Sequence, residues 1–98
     1  MIKHIDITVK GQVQGVGFRV AAKAVADQLG VKGSIRNQRD GSVAIEAEGD
    51  DTMLEIFLDF CREGSDTAHI SSVDLHEGEL KNYRNFEVLK RGLTEPDC

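Results

Sequence analysis

Two hydrophobic periods succeed one another along this chain in an order that few small folds accommodate. Ile5, Ile7 and Val9 alternate with His4, Asp6 and Thr8, the period of a half-buried strand, which ends at Gly11. Beyond a glycine-rich turn, Phe18, Ala21, Ala22, Val25 and Leu29 recur at three and four residues. That spacing predicts a helix with one apolar face, closed by Gly30 where a left-handed backbone costs glycine little. Val31 to Gln38 and Ser42 to Glu48 read as the second and third strands, the latter alternating Val43, Ile45 and Ala47 with polar partners. The Asp40-Gly41 pair between them is a hairpin signal, because both residues tolerate positive φ, so these strands should pair antiparallel. Gly49, Asp50 and Asp51 supply helix-start chemistry, and Met53, Ile56, Phe57, Phe60 and Cys61 form an apolar stripe that runs to Gly64. Ile70 to His76 and Phe86 to Lys90 look like two further strands, joined by the polar stretch 77–85. The order strand, helix, strand, strand, helix, strand predicts an α+β, ferredoxin-like split βαβ sandwich. Right-handed crossovers would put both helices on one face of an antiparallel sheet and leave the other face open to solvent or a partner. The domain is expected over 1–90, with a frayed polar tail over 91–98.

At 98 residues the chain can bury one core. No stretch approaches the roughly 20 apolar residues of a membrane span, and the N-terminal Met1-Ile2-Lys3-His4 lacks the apolar region of a signal peptide. A cytoplasmic location is the expectation. Cys61 and Cys98 are too few and too far apart for a zinc or iron–sulfur framework, and cytosolic reduction would leave both as free thiols. The formal charge of −5 is unevenly spread. Residues 1–49 carry seven Lys/Arg against five Asp/Glu, and residues 50–98 carry five against twelve. An anionic ligand would be drawn to the first half, while a solvated acidic face accounts for the second.

The first half also contains the turn, "GQVQGVGFRV" over residues 11–20. A chain that leaves a strand through glycines and enters a helix points several backbone N–H groups one way, and the first four helical donors lack an intrahelical partner. With the helix dipole added, phosphate is the natural guest. The stretch is not a Walker loop, because no Lys-Ser/Thr follows the last glycine, and Val20 stands where a dinucleotide fingerprint needs its third glycine. Two readings stand for Gly11, Gly15 and Gly17: they permit a tight turn and nothing more, or they form an anion cradle.

Arg19 favours the cradle. A cation at a helix start faces the positive end of the dipole and gains nothing from it, and an anion placed between the two reverses that sign. Guanidinium can also grip two phosphate oxygens at once. Asn37, near the end of the second strand, shares the helix-facing side with Val31 and Ile35, where a polar amide needs partners. It is either a satisfied strand-end asparagine or, beside a phosphate cradle, a group that holds a water molecule.

These residues resemble the acylphosphatases. The resemblance rests on "GQVQGVGFR" at 11–19 and "GSIRNQRDGSV" at 33–43, and extends to the length and element order of the whole chain. It implies a ferredoxin-like enzyme that hydrolyses the carboxyl-phosphate bond of acyl phosphates. It places the catalytic arginine at Arg19, the catalytic asparagine at Asn37, and a phosphate-binding loop at Gln14, Gly15, Val16, Gly17, Phe18 and Arg19, whose amides would hold the phosphoryl oxygens. Two departures lie outside the catalytic pair. The family commonly has tryptophan where Ser34 stands, and Gly-Pro where this chain reads Gly64-Ser65.

A mechanism consistent with these residues needs no metal and no cofactor. Phosphoryl transfer asks chiefly for positioning and charge stabilisation. The leaving carboxylate has a conjugate-acid pKa of about 4 and departs as an anion near neutrality, so no general acid is required. His4, His69 and His76 are unclustered and are read as structural or surface groups, and Asp50 and Asp51 suit a helix start better than a magnesium site. The expected partners are a small acyl phosphate, with inorganic phosphate or sulfate as competing anion, acting on a monomer without nucleic acid or membrane.

Two other functions compete. An RNA recognition module shares the element order, and "GVGF" superficially resembles its glycine-aromatic signature, but here that run precedes a helix and offers only Phe18, which belongs in the core. Four Phe, one Tyr and a negative charge argue further against it. The second is an accessory domain that binds phosphate or carbamoyl phosphate without turnover, as acylphosphatase-like domains do within larger carbamoyl-transferring proteins.

Overall fold

The computed structural model describes residues 1–14, 17–64 and 68–89. Gly15, Val16, Ser65, Lys90, Cys98 and the expected tail 91–98 lie outside the described residues. The elements run β1 (Ile2–Gln12), α1 (Phe18–Leu29), β2 (Lys32–Asn37), β3 (Val43–Asp50), α2 (Asp51–Glu63), β4 (His69–Gly78) and β5 (Phe86–Leu89). They build one sheet in the order β4-β1-β3-β2-β5. The expected βαββαβ plan is therefore present, with a fifth strand added at the β2 edge.

Register follows the apolar alternation. Ile7 on β1 stands opposite Ile45 on β3, which stands opposite Ile35 on β2. All three are buried, as are Phe18, Phe57 and Phe86 from the surrounding elements. Burying each such side chain contributes about 1.5–3 kcal/mol, which makes this layer the main source of stability. Phe57 meets Phe86 edge-on at 5.8 Å between ring centroids, and Phe18 stacks on Phe60 at 5.6 Å. On α1 the buried apolar stripe is Phe18, Ala22 and Ala26, the two alanines letting the helix approach the sheet closely. On α2 it is Leu54, Phe57 and Cys61, while Ile56, expected inside, is 44% exposed. Cys61 is a free thiol, and burial pushes its pKa up to about 12, so it is inert as a nucleophile near neutrality.

Two expectations are corrected. The sheet is antiparallel except at β5, which pairs parallel to β2, with Gly33 opposite Phe86. The antiparallel pairings make β4 run opposite to β2, and the reversal through 79–85 turns the chain into the β2 direction on the far edge. The helix-free face, expected to be open, is partly covered by that same connection. His4 and Asp6 on β1, Glu46 and Glu48 on β3 and Ser34 on β2 all point to this face, because side chains alternate along a strand. The N–H groups of Lys81 and Tyr83 donate to the Glu48 carboxylate, the Tyr83 ring stacks on His4, and its phenol interacts with Ser34 and Glu46. Beneath this strap His4 is 2% exposed and Glu48 is 4% exposed. His4 is thus structural, whereas His69 and His76 are exposed on β4.

Candidate functional site

The turn that joins β1 to α1 is anchored in the core at both ends, since Val13 and Phe18 are each 1% exposed. Of its glycines, Gly11 belongs to the strand. It lies at a register shift between β1 and β4, where a Cβ would fall 2.1 Å from the carbonyl oxygen of His69. Gly17 belongs to the turn. It caps α1 at φ 77°, a left-handed backbone that L side chains rarely adopt.

The two helix starts differ in their acceptors. At α2 the Asp50 side chain accepts from the Thr52 N–H at 3.1 Å, and Asp51 adds a negative charge in the first turn. At α1 no side chain among the described residues caps the helix, and the first turn carries no acid. The first amides of a helix have no intrahelical partner, and at this end of α1 they lie with the positive end of the dipole beside a buried cation, Arg19, which is 6% exposed.

Arg19 Nη1 donates to the carbonyl oxygen of Leu89 at 3.1 Å. Leu89 pairs with Arg36, the residue before Asn37, so the guanidinium is held beside the end of β2. Asn37 is the last residue of β2 and is 5% exposed on the same side as Ile35, as the sequence predicts. Its Oδ1 is buried and accepts no hydrogen bond among the described residues. From the other side of the turn, Gln14 Nε2 donates to the carbonyl oxygens of Gln38 at 2.6 Å and Ser42 at 2.9 Å. The start of the glycine turn, the first turn of α1 and the end of β2 are thereby brought to one end of the sheet. Of the six expected loop residues, Gln14, Gly17, Phe18 and Arg19 take part in this arrangement, and Gly15 and Val16 fall outside the described residues. Chemically, the amides of a helix start and a fixed guanidinium suit an anion, and a buried amide oxygen suits a donor such as water.

The acylphosphatase family profile matches residues 5–88. The chain belongs to the acylphosphatase family. It is 42% identical over 88 residues to the acylphosphatase of Lactiplantibacillus plantarum, covering 89% of this chain and 98% of that one. The crystal structure of acylphosphatase from Bacillus subtilis superposes with a TM-score of 0.86 at 32% identity, over 91% of this chain and 99% of that chain. Full-length HypF in its phosphate- and nucleotide-bound form gives a TM-score of 0.82 at 28% identity, over 93% of this chain but 12% of that one.

Within this acylphosphatase framework the departure at Ser34 has a structural context: Ser34 is buried on the strap face, beside Tyr83 and away from the turn. The departure at Ser65 lies outside the described residues. His4, Asp6 and Glu46 bring ligand-type atoms within 4.8 Å of one another. They sit on the face opposite α1, where His4 donates to Glu48 and contacts Asp6, and Lys81 pairs with Glu46. Sequence reasoning treated Gln14 only through its backbone. Its side chain and the Leu89 carbonyl join distant segments to the turn, and neither contact has a local pattern that would reveal it.

Proposed function

We propose that this acylphosphatase hydrolyses acyl phosphates through Arg19, Asn37 and the amides of Gln14, Gly15, Val16, Gly17, Phe18 and Arg19. Arg19 and the amides hold the three non-bridging oxygens of the phosphoryl group. Asn37 Oδ1 accepts a hydrogen bond from a water molecule and so turns a water lone pair toward phosphorus. As the water oxygen bonds to phosphorus, the bond from phosphorus to the acyl oxygen breaks, and the carboxylate leaves with that electron pair. The water proton passes to a phosphoryl oxygen, since a neutral amide is no base. The observation that carries this reading is the buried Oδ1 of Asn37, unpartnered among the described residues, at the strand end that the Arg19 guanidinium flanks.

The unit that performs this chemistry is 1–90, acting as a monomer in the cytoplasm, with inorganic phosphate or sulfate competing for the cradle. No helix among the described residues is long and apolar enough to cross a membrane. The likeness to one segment of the much longer HypF favours a second reading, a module that binds phosphate or carbamoyl phosphate without turnover. Coverage of 98% of a separate acylphosphatase chain supports the enzyme. Single-turnover loss of benzoyl phosphate at excess protein tests the choice: hydrolysis supports the enzyme, and stoichiometric binding without loss supports the module.

A further inference from the structure

The Gln14 side chain does something that phosphate binding by the backbone does not require. Its amide carries two hydrogens, and they go to the carbonyls of Gln38 and Ser42. Those residues form the neck of the β2–β3 hairpin: Gln38 N–H donates to the Ser42 carbonyl at 2.8 Å, and Ser42 Oγ donates to the Gln38 side-chain oxygen at 2.7 Å. Gly41 N–H also donates to the Gln38 carbonyl, so the neck is closed by its own hydrogen bonds. Asn37 directly precedes it. Gln14 in turn opens the run of amides that ends at Arg19.

We infer that Gln14 is a positioning residue, whose side chain sets the spacing between the phosphate-holding amides and the water-holding oxygen of Asn37. The inference rests on the catalytic reading above and adds to it the link between its two halves. The partners are main-chain carbonyls, which cannot swing away as side chains do. A misplacement of about 1 Å between nucleophile and phosphorus can cost about a hundredfold in rate.

The informative variant is Gln14→Glu, which keeps the shape but has no N–H to give, and sets an acceptor against two carbonyls. Gln14→Ala is the second variant, removing the donor without adding charge. Each is made in the native chain and in Asn37→Ala, and kcat for benzoyl phosphate and the inhibition constant of inorganic phosphate are measured on folded protein. The expected result is a loss of kcat of about tenfold or more in the native background. On Asn37→Ala, where no water is left to align, the further loss should be under about threefold, and phosphate inhibition should change by less than about threefold throughout. Normal kcat in both Gln14 variants overturns the inference, as does an equal loss in the two backgrounds, which marks a general structural role. Asn37→Ala with full turnover overturns the catalytic reading itself and this inference with it. Loss in Asn37→Ala without loss in the Gln14 variants overturns this inference alone.

Discussion

Arg19 Nη1 lies 3.1 Å from the carbonyl oxygen of Leu89, so the guanidinium in the first turn of α1 is held by the end of β5, 70 residues further along the chain. The Leu89 carbonyl fixes the orientation of the group, so part of the entropy of ordering a long side chain is met before substrate arrives.

Arg19→Ala should lower kcat/KM for benzoyl phosphate by about 10²–10³-fold, the loss typical of a preorganised donor to transition-state charge. Both kcat and KM should suffer, because the phosphoryl oxygens are negative in the ground state as well. Arg19→Lys should recover part of the loss, keeping charge but not the planar fork. Steady-state kinetics that found Arg19→Ala unimpaired would remove Arg19 from the mechanism.

Asn37→Ala should lower kcat by about 10²-fold while leaving inorganic phosphate inhibition nearly unchanged, since the amide is assigned to water and not to the phosphoryl group. Stability should change little. The Oδ1 makes no hydrogen bond among the described residues, so truncation removes a buried polar atom that nothing compensates. A nearly unchanged melting temperature together with a fall in kcat is the most telling pair of results.

Much of this site is written locally in the sequence. A glycine before an apolar period, as at Gly17 and Phe18, marks a helix start through backbone freedom and side-chain spacing alone. The side chain of Asn37 faces the helices because residues 35 and 37 share a strand face, which alternation dictates. What the sequence does not carry is the outcome of long-range competition. The parallel pairing of β5 depends on how 79–85 reverses direction, and the anchors of Gln14 and Arg19 are carbonyl oxygens that every residue possesses. Gly11 shows the same limit, since a glycine beside two others looks like part of the turn, yet it is needed for the approach of β4.

Hydrolysis of acetyl or benzoyl phosphate should continue in excess EDTA. Carboxylate is a good leaving group near neutrality, so the reaction has no leaving-group charge that a metal must neutralise. The residues with metal-ligand spacing, His4, Asp6 and Glu46, stand on the opposite face of the sheet from α1. Turnover that disappears on chelation and returns with a divalent cation would contradict the scheme.

The strap face should make stability depend on pH in a bell-shaped manner. At His4, burial alone would lower the pKa, but hydrogen bonds and charge from Glu48 and Asp6 outweigh it, and the net shift is upward from 6.5. At Glu48, burial would raise the pKa, but the amides of Lys81 and Tyr83 and the His4 ring outweigh it, and the net shift is downward from 4.5. A raised histidine contributes in full below 6.5 and loses that contribution as pH climbs through its folded value. A depressed carboxylate contributes in full above 4.5 and loses it as pH falls through its folded value. Both are fully present between those two ordinary values, so urea midpoints should be highest there and decline on each side. His4→Gln, which keeps a polar group but cannot carry the proton, should abolish most of the alkaline decline and leave the acid one. It should do so without changing kcat near neutrality, since His4 is on the far side of the sheet from Arg19 and Asn37. An unchanged alkaline decline in His4→Gln would mean that Lys81 or Tyr83, both shifted upward on that face, governs it.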